Sequence, residues 1–120
     1  MAGIMRFLRK IMYFVGWLLI VVVIALSLGP AAVRPETGVP RAVEHFSIFA
    51  AIGIAFSLGY GRRPIALMAA LVGFAGAIEL AQKLIPDRHA RLTDFVIDAA
   101  AACIGTVLAS IANRSRERHR

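Results

Sequence analysis

A single cysteine, Cys103, is all the thiol chemistry this chain has. One thiol excludes an intramolecular disulfide and a multi-cysteine metal site, and Cys103 reads as a small buried hydrophobe. Paired histidines at ligand spacing are missing too, so no His-Glu-x-x-His signature of a metal hydrolase is present. There is no Ser/His/Asp elbow, no Gly-rich phosphate loop and no cysteine nucleophile. Acidic residues are scarce, seven against fourteen Lys and Arg, which leaves a net charge of +7. Across residues 11–29 charge of either sign is absent altogether.

What is present is apolar. The chain is 59% hydrophobic, above the roughly 45–50% of soluble domains, and the excess gathers in four blocks. A helix over 11–29 reaches about 28 Å, against a hydrocarbon core of about 30 Å. The second block, 42–60, is charged only at its start, at Glu44 and His45; the third, 65–84, is clean until Glu79; the fourth, 93–112, is clean after Asp98. This pattern predicts an all-α integral membrane bundle of four transmembrane helices, about 11–29, 42–60, 65–84 and 93–112. Residues 1–120 form a single domain, with 1–10 a basic flank and 113–120 a basic tail. The first block exceeds a signal-peptide core, and Pro30 follows its small-residue exit, so it is expected to be retained as a helix.

Basic residues in short loops set orientation. With the N-terminus inside, the inner segments hold Arg6, Arg9, Lys10, Arg62, Arg63, Arg114, Arg116, Arg118 and Arg120; the outer ones hold only Arg34, Arg41, Lys83, Arg88 and Arg91. Both termini are therefore expected in the cytoplasm, with the basic tail on anionic headgroups. Tethered so close behind a membrane helix, that tail is not expected to bind nucleic acid. Gly61, Arg62, Arg63 and Pro64 predict a tight turn that makes the second and third helices antiparallel neighbours.

Under this topology Glu44, His45, Glu79, Gln82, Arg88, His89, Arg91, Asp94 and Asp98 all fall at one outer edge. Glu79 and Gln82 share a helix face, as do Asp94 and Asp98, with Asp98 one turn, about 5.4 Å, deeper. Ala69, Gly73 and Ala77 in the third helix and Ala101, Gly105 and Ala109 in the fourth form stripes that let membrane helices approach closely. Both stripes are expected at helix contacts, and the fourth-helix stripe turns the two aspartates inward. Tyr13, Trp17 and Tyr60 fall near span ends, where interface anchors belong.

The spacing Glu79-x-x-Gln82, Pro86-x-Arg88 and Asp94-x-x-x-Asp98, with Gly105 further in and His45-Phe46 on the preceding hairpin, resembles the VanZ-like membrane family. The resemblance covers about residues 41–109. Asp98 stands where that family usually has Asn, Ala101 where Gly is usual, and Phe49 where Tyr is usual; Arg41 lies four before the histidine instead of three. The aspartate adds a potential charge at depth, and Phe49 removes a hydroxyl. The family takes its name from an accessory protein of glycopeptide resistance, so the resemblance implies a multi-pass protein of the bacterial inner membrane and cell envelope.

Three roles for the outer cluster remain open. His45, Glu79, Gln82, Arg88, Arg91, Asp94 and Asp98 could form a ligand site, with arginines for a phosphate or carboxylate and carboxylates for sugar or amine groups. A lipid-linked wall precursor or a glycopeptide would be the ligand. The same residues could merely staple the outer loop to the bundle through buried ion pairs. A metal-dependent hydrolase would draw on His45, Glu79, His89, Asp94 and Asp98, without paired histidines to favour it. No metal or cofactor is expected, membrane lipids are the expected partners, and self-association is left open. A small proton-coupled exchanger is disfavoured, since transport sites lie near the midplane and the first helix carries no ionisable group there.

Overall fold

Each apolar block forms one helix. The computed structural model describes residues 2–28, 38, 40–60, 63–84 and 92–118, with the helices α1 (Ala2–Leu28), α2 (Arg41–Tyr60), α3 (Pro64–Lys83) and α4 (Leu92–Arg118) in chain order. All four are long and apolar enough to cross a membrane.

Local chemistry explains the starts. The carbonyl of Pro40 accepts the backbone amides of Val43 and Glu44 at 3.0 and 3.2 Å, and Glu44 lies in the first turn of α2, where a negative charge meets the positive end of the helix dipole. Pro64 opens α3; its fixed φ suits a first helical position and its missing N–H removes one orphan donor. Two helices outrun their expected spans. α1 begins near residue 2 instead of 11, because residues 2–10 hold good helix formers and no proline. α4 continues past residue 112 to Arg118, through a basic segment that contains neither Pro nor Gly.

The helices run up and down, so α1 and α2 are antiparallel. Tyr13 packs on Tyr60 with ring centroids 4.7 Å apart, and one turn further along α1 Trp17 meets Phe56 edge-on at 5.4 Å. The expected interface aromatics thus also clamp α1 to α2. α2 and α4 run parallel and make the most extensive contact in the bundle. Their backbones touch there. A Cβ on Gly53 would fall on the carbonyl oxygen of Ala102, and one on Gly105 would fall on that of Ala50.

The fourth-helix stripe is accordingly buried: Ala101, Gly105 and Ala109 all face the interior. The third-helix stripe is not. Ala69, Gly73 and Ala77 are exposed, and a Cβ on Gly73 would meet nothing within 4 Å. α3 instead turns Leu71, Ala75 and Ile78 to the core, filling its interface with larger side chains. It lies against α4, where Gly76 faces the ring of Phe95, and touches α2 only lightly despite the short connection between them. The expected antiparallel pair of α2 and α3 does meet, at Phe49 and Phe74, but α4, with its small-residue face, makes the main contact with α2.

Ile20 and Val23 of α1 join Phe49, Ile52, Phe56, Leu71, Ala75, Ile78, Ala101 and Ala102 in one apolar core. Polar groups within the apolar length are paired. Ser57 Oγ lies 3.4 Å from the Thr106 carbonyl, to which it donates, and 3.3 Å from Ser110 Oγ. Asn113 Nδ2 donates to the Ser57 carbonyl at 3.2 Å, and Thr106 Oγ1 donates back to Ala102 O at 2.8 Å. Unpaired, such groups would cost several kcal/mol each in hydrocarbon. The outward face is greasy: Phe7, Phe14 and Val21 are 63%, 69% and 60% exposed. An apolar surface of that kind marks contact with a membrane or with another protein.

Candidate functional site

Parallel α2 and α4, with α3 antiparallel to α4, bring three helix ends together: the start of α2, the end of α3 and the start of α4. These ends carry most of the bundle's ionisable interior. Glu79 and Gln82 on α3 and Asp94 and Asp98 on α4 are all buried, Asp98 at 0% exposure. They are buried because each shares a face with the core. Glu79 and Gln82 continue the row Leu71, Ala75 and Ile78, and Asp94 and Asp98 continue the row that leads through Ala101 and Ala102 to Gly105.

His45 joins α2 to this group. Its Nδ1 lies 2.9 Å from Asp98 Oδ1, with the imidazole 13% and the carboxylate 1% exposed. An ionised carboxylate only accepts, so with Asp98 charged Nδ1 is the donor, and the bond fixes the orientation of the ring. Phe49, one turn below His45, is 2% exposed and packs against Phe74 with centroids 6.1 Å apart. A hydroxyl at position 49 would enter the core; the phenylalanine closes the floor of the site with apolar surface. Ala101 is likewise fully buried beneath Asp98.

α1 contributes a backbone group that the sequence did not announce. Gln82 Nε2 donates to the carbonyl of Ser27 at 3.2 Å. The last four carbonyls of a helix lack intrahelical donors, so Gln82 satisfies one of the orphans of α1. Because that carbonyl can only accept, the amide orientation is set and Oε1 points elsewhere. Gln82 Oε1 is buried and accepts no hydrogen bond among the described residues. None of Glu44, Glu79, Asp94 and Asp98 is without an interaction partner.

Of the residues singled out from sequence, His45, Glu79, Gln82, Asp94 and Asp98 share this end, and His45 and Asp98 touch. Arg88 and Arg91, together with Pro86 and His89, lie outside the described residues. Among the described residues no group of three or more His, Cys, Asp or Glu could hold a metal ion. The seam of Ser57, Thr106, Ser110 and Asn113 escaped the sequence reading; polar side chains recurring on one face of an otherwise apolar helix were its available signal. Chemically, the polar end presents carboxylates, an oriented imidazole and an amide oxygen in a low-dielectric setting, where hydrogen bonds to hydroxyl or ammonium groups are strong.

The fold is all-helical, with four helices long and apolar enough to cross a membrane and a buried polar end. Comparison of the chain with protein-family models, with curated proteins and with solved structures finds no match.

Proposed function

We propose that the chain is a VanZ-like protein of the bacterial inner membrane with both termini cytoplasmic. Its polar end would face outward and bind, or alter the access of, a polar envelope component such as a lipid-linked wall precursor or a glycopeptide. The observation that carries this is the burial of Glu79, Gln82, Asp94 and Asp98 at one end of the bundle, with His45 bonded to Asp98. Ionisable residues within membrane spans cost up to about 2.5–3.5 kcal/mol each at a helix centre and characteristically mark function. The excess of arginine at the opposite end and in the C-terminal segment supports the orientation. Gln82 Oε1 supports the ligand chemistry, since it offers an acceptor for a hydroxyl or amine.

The test is a pair of variants, Glu79→Ala and Asp94→Ala, expressed in a glycopeptide-exposed host. Both are expected to fold, with helicity and melting close to wild type, and to change glycopeptide susceptibility. Unchanged susceptibility together with unchanged stability sinks the proposal. A second reading draws on the fact that Glu79, Asp94 and Asp98 each have an interaction partner: the cluster would only hold the loop between α3 and α4 onto the bundle. Removing one member of such a buried pair costs about 3–5 kcal/mol. On that reading the same variants fail to accumulate as folded protein.

A further inference from the structure

At the far end of the bundle from the polar cluster, α1 and α3 touch only lightly, and a cavity of about 550 Å³ opens between them. Small-molecule sites run from about 300 to 1,000 Å³. Buried Phe56 and Leu71 form its floor, Trp17 and Ala70 its walls, and Tyr60 and exposed Arg63 its outer end. The lining is apolar apart from that end and from Ser57, whose hydroxyl is bonded to α4. Trp17 Nε1 donates to Tyr60 Oη at 3.2 Å, which satisfies the indole, and among the described lining residues Arg63 is the charged one. No acidic residue among those described lines the cavity.

Length decides what fits. The lining follows α3 from Pro64 to Phe74, a rise of about 15 Å, which is half of a hydrocarbon core of about 30 Å. It stops where the ring of Phe74 packs on Phe49. A partner transmembrane helix, about 10 Å across and running the whole thickness, would need a groove open along the full bundle. A slot one leaflet deep, apolar within and cationic at the surface, matches a single acyl chain below a phosphate. Basic pockets between membrane helices hold anionic headgroups in this way.

We propose that this cavity binds one phospholipid with an anionic headgroup, its acyl chain lying between α1 and α3 and its phosphate on Arg63. The site does not depend on the role of the polar end. If that end faces outward, the lipid belongs to the inner leaflet.

Native mass spectrometry of the delipidated full chain, titrated with phosphatidylglycerol or phosphatidylcholine, tests the assignment. Wild type is expected to hold one phosphatidylglycerol with about fivefold preference, equivalent to about 1 kcal/mol for one arginine at an anionic headgroup. Arg63→Gln should lose the preference but keep the adduct. Ala70→Trp should fill the slot and lose the adduct; Ala66→Trp, on the same wall nearer the mouth, is the second filling variant should the first fail to fold. Equal retention of both lipids by wild type overturns the proposal, as does a preference that survives Arg63→Gln or a folded filling variant that keeps its lipid. A dimer that Ala70→Trp abolishes would assign the slot to a second copy of the chain instead, and also overturns it.

Discussion

Among the described residues Asp98 is the most deeply buried ionisable one, at 0% exposure for the residue and with a histidine at 2.9 Å. Truncation to Asp98→Ala leaves the His45 donor without its acceptor in a low-dielectric site, which is expected to cost about 1–3 kcal/mol. Asp98→Asn keeps an oxygen at the same place and is expected to cost less. Thermal loss of helicity in detergent ranks the two, and a cycle with His45→Ala isolates the pair, with a coupling of about 0.5–3 kcal/mol expected. Strict additivity would show that the bond contributes nothing. The residue types of the site were legible in the sequence, because charge within an apolar run is conspicuous. Which of them touch was not. His45 and Asp98 are 53 residues apart, and only the parallel packing of α2 on α4 brings them together.

At the scale of helices, two glycine stripes of the same spacing met opposite fates, and physical context is the reason. Spacing alone says that a face is smooth; it does not say what lies opposite. α4 places Gly105 against the backbone of α2 at Ala50, whereas α3 leaves Gly73 with nothing within 4 Å. Gly105→Ala and Gly53→Ala are therefore expected to force α2 and α4 apart and destabilise by about 1–3 kcal/mol, the usual scale of overpacking. Gly73→Ala should be neutral or stabilise by up to about 1 kcal/mol, since alanine is the better helix former. Melting temperatures of the three variants check the contrast, and a destabilised Gly73→Ala would mean that the outer face of α3 is covered. The four helices themselves were readable from hydropathy because each must bury its backbone hydrogen bonds within one segment. Their ends were less so: α1 and α4 run on through basic residues that hydropathy counts as flanks and helix propensity does not.

For the whole molecule, length and greasiness have a consequence that labelling can read directly. The helices lie in a body 52 Å long and 24 × 23 Å across, with all four able to span a membrane. If all four cross, the end of α4 returns to the side where α1 starts, while the end of α3 lies on the other. In a Cys103→Ala background, single cysteines at Gly3→Cys and Ser115→Cys are therefore expected to react together with a membrane-impermeant maleimide, and Lys83→Cys to react from the opposite side. All three positions are described; Lys83 and Ser115 are exposed and Gly3 has open space around it. In intact cells, the arginine bias predicts that only Lys83→Cys is labelled, because basic segments stay inside. Labelling of residues 3 and 115 alone would invert the molecule and remove the outward-facing site while leaving the bundle intact. Labelling of all three from one side would mean that the helices do not all cross, and the buried carboxylates would then need an explanation that does not involve a bilayer.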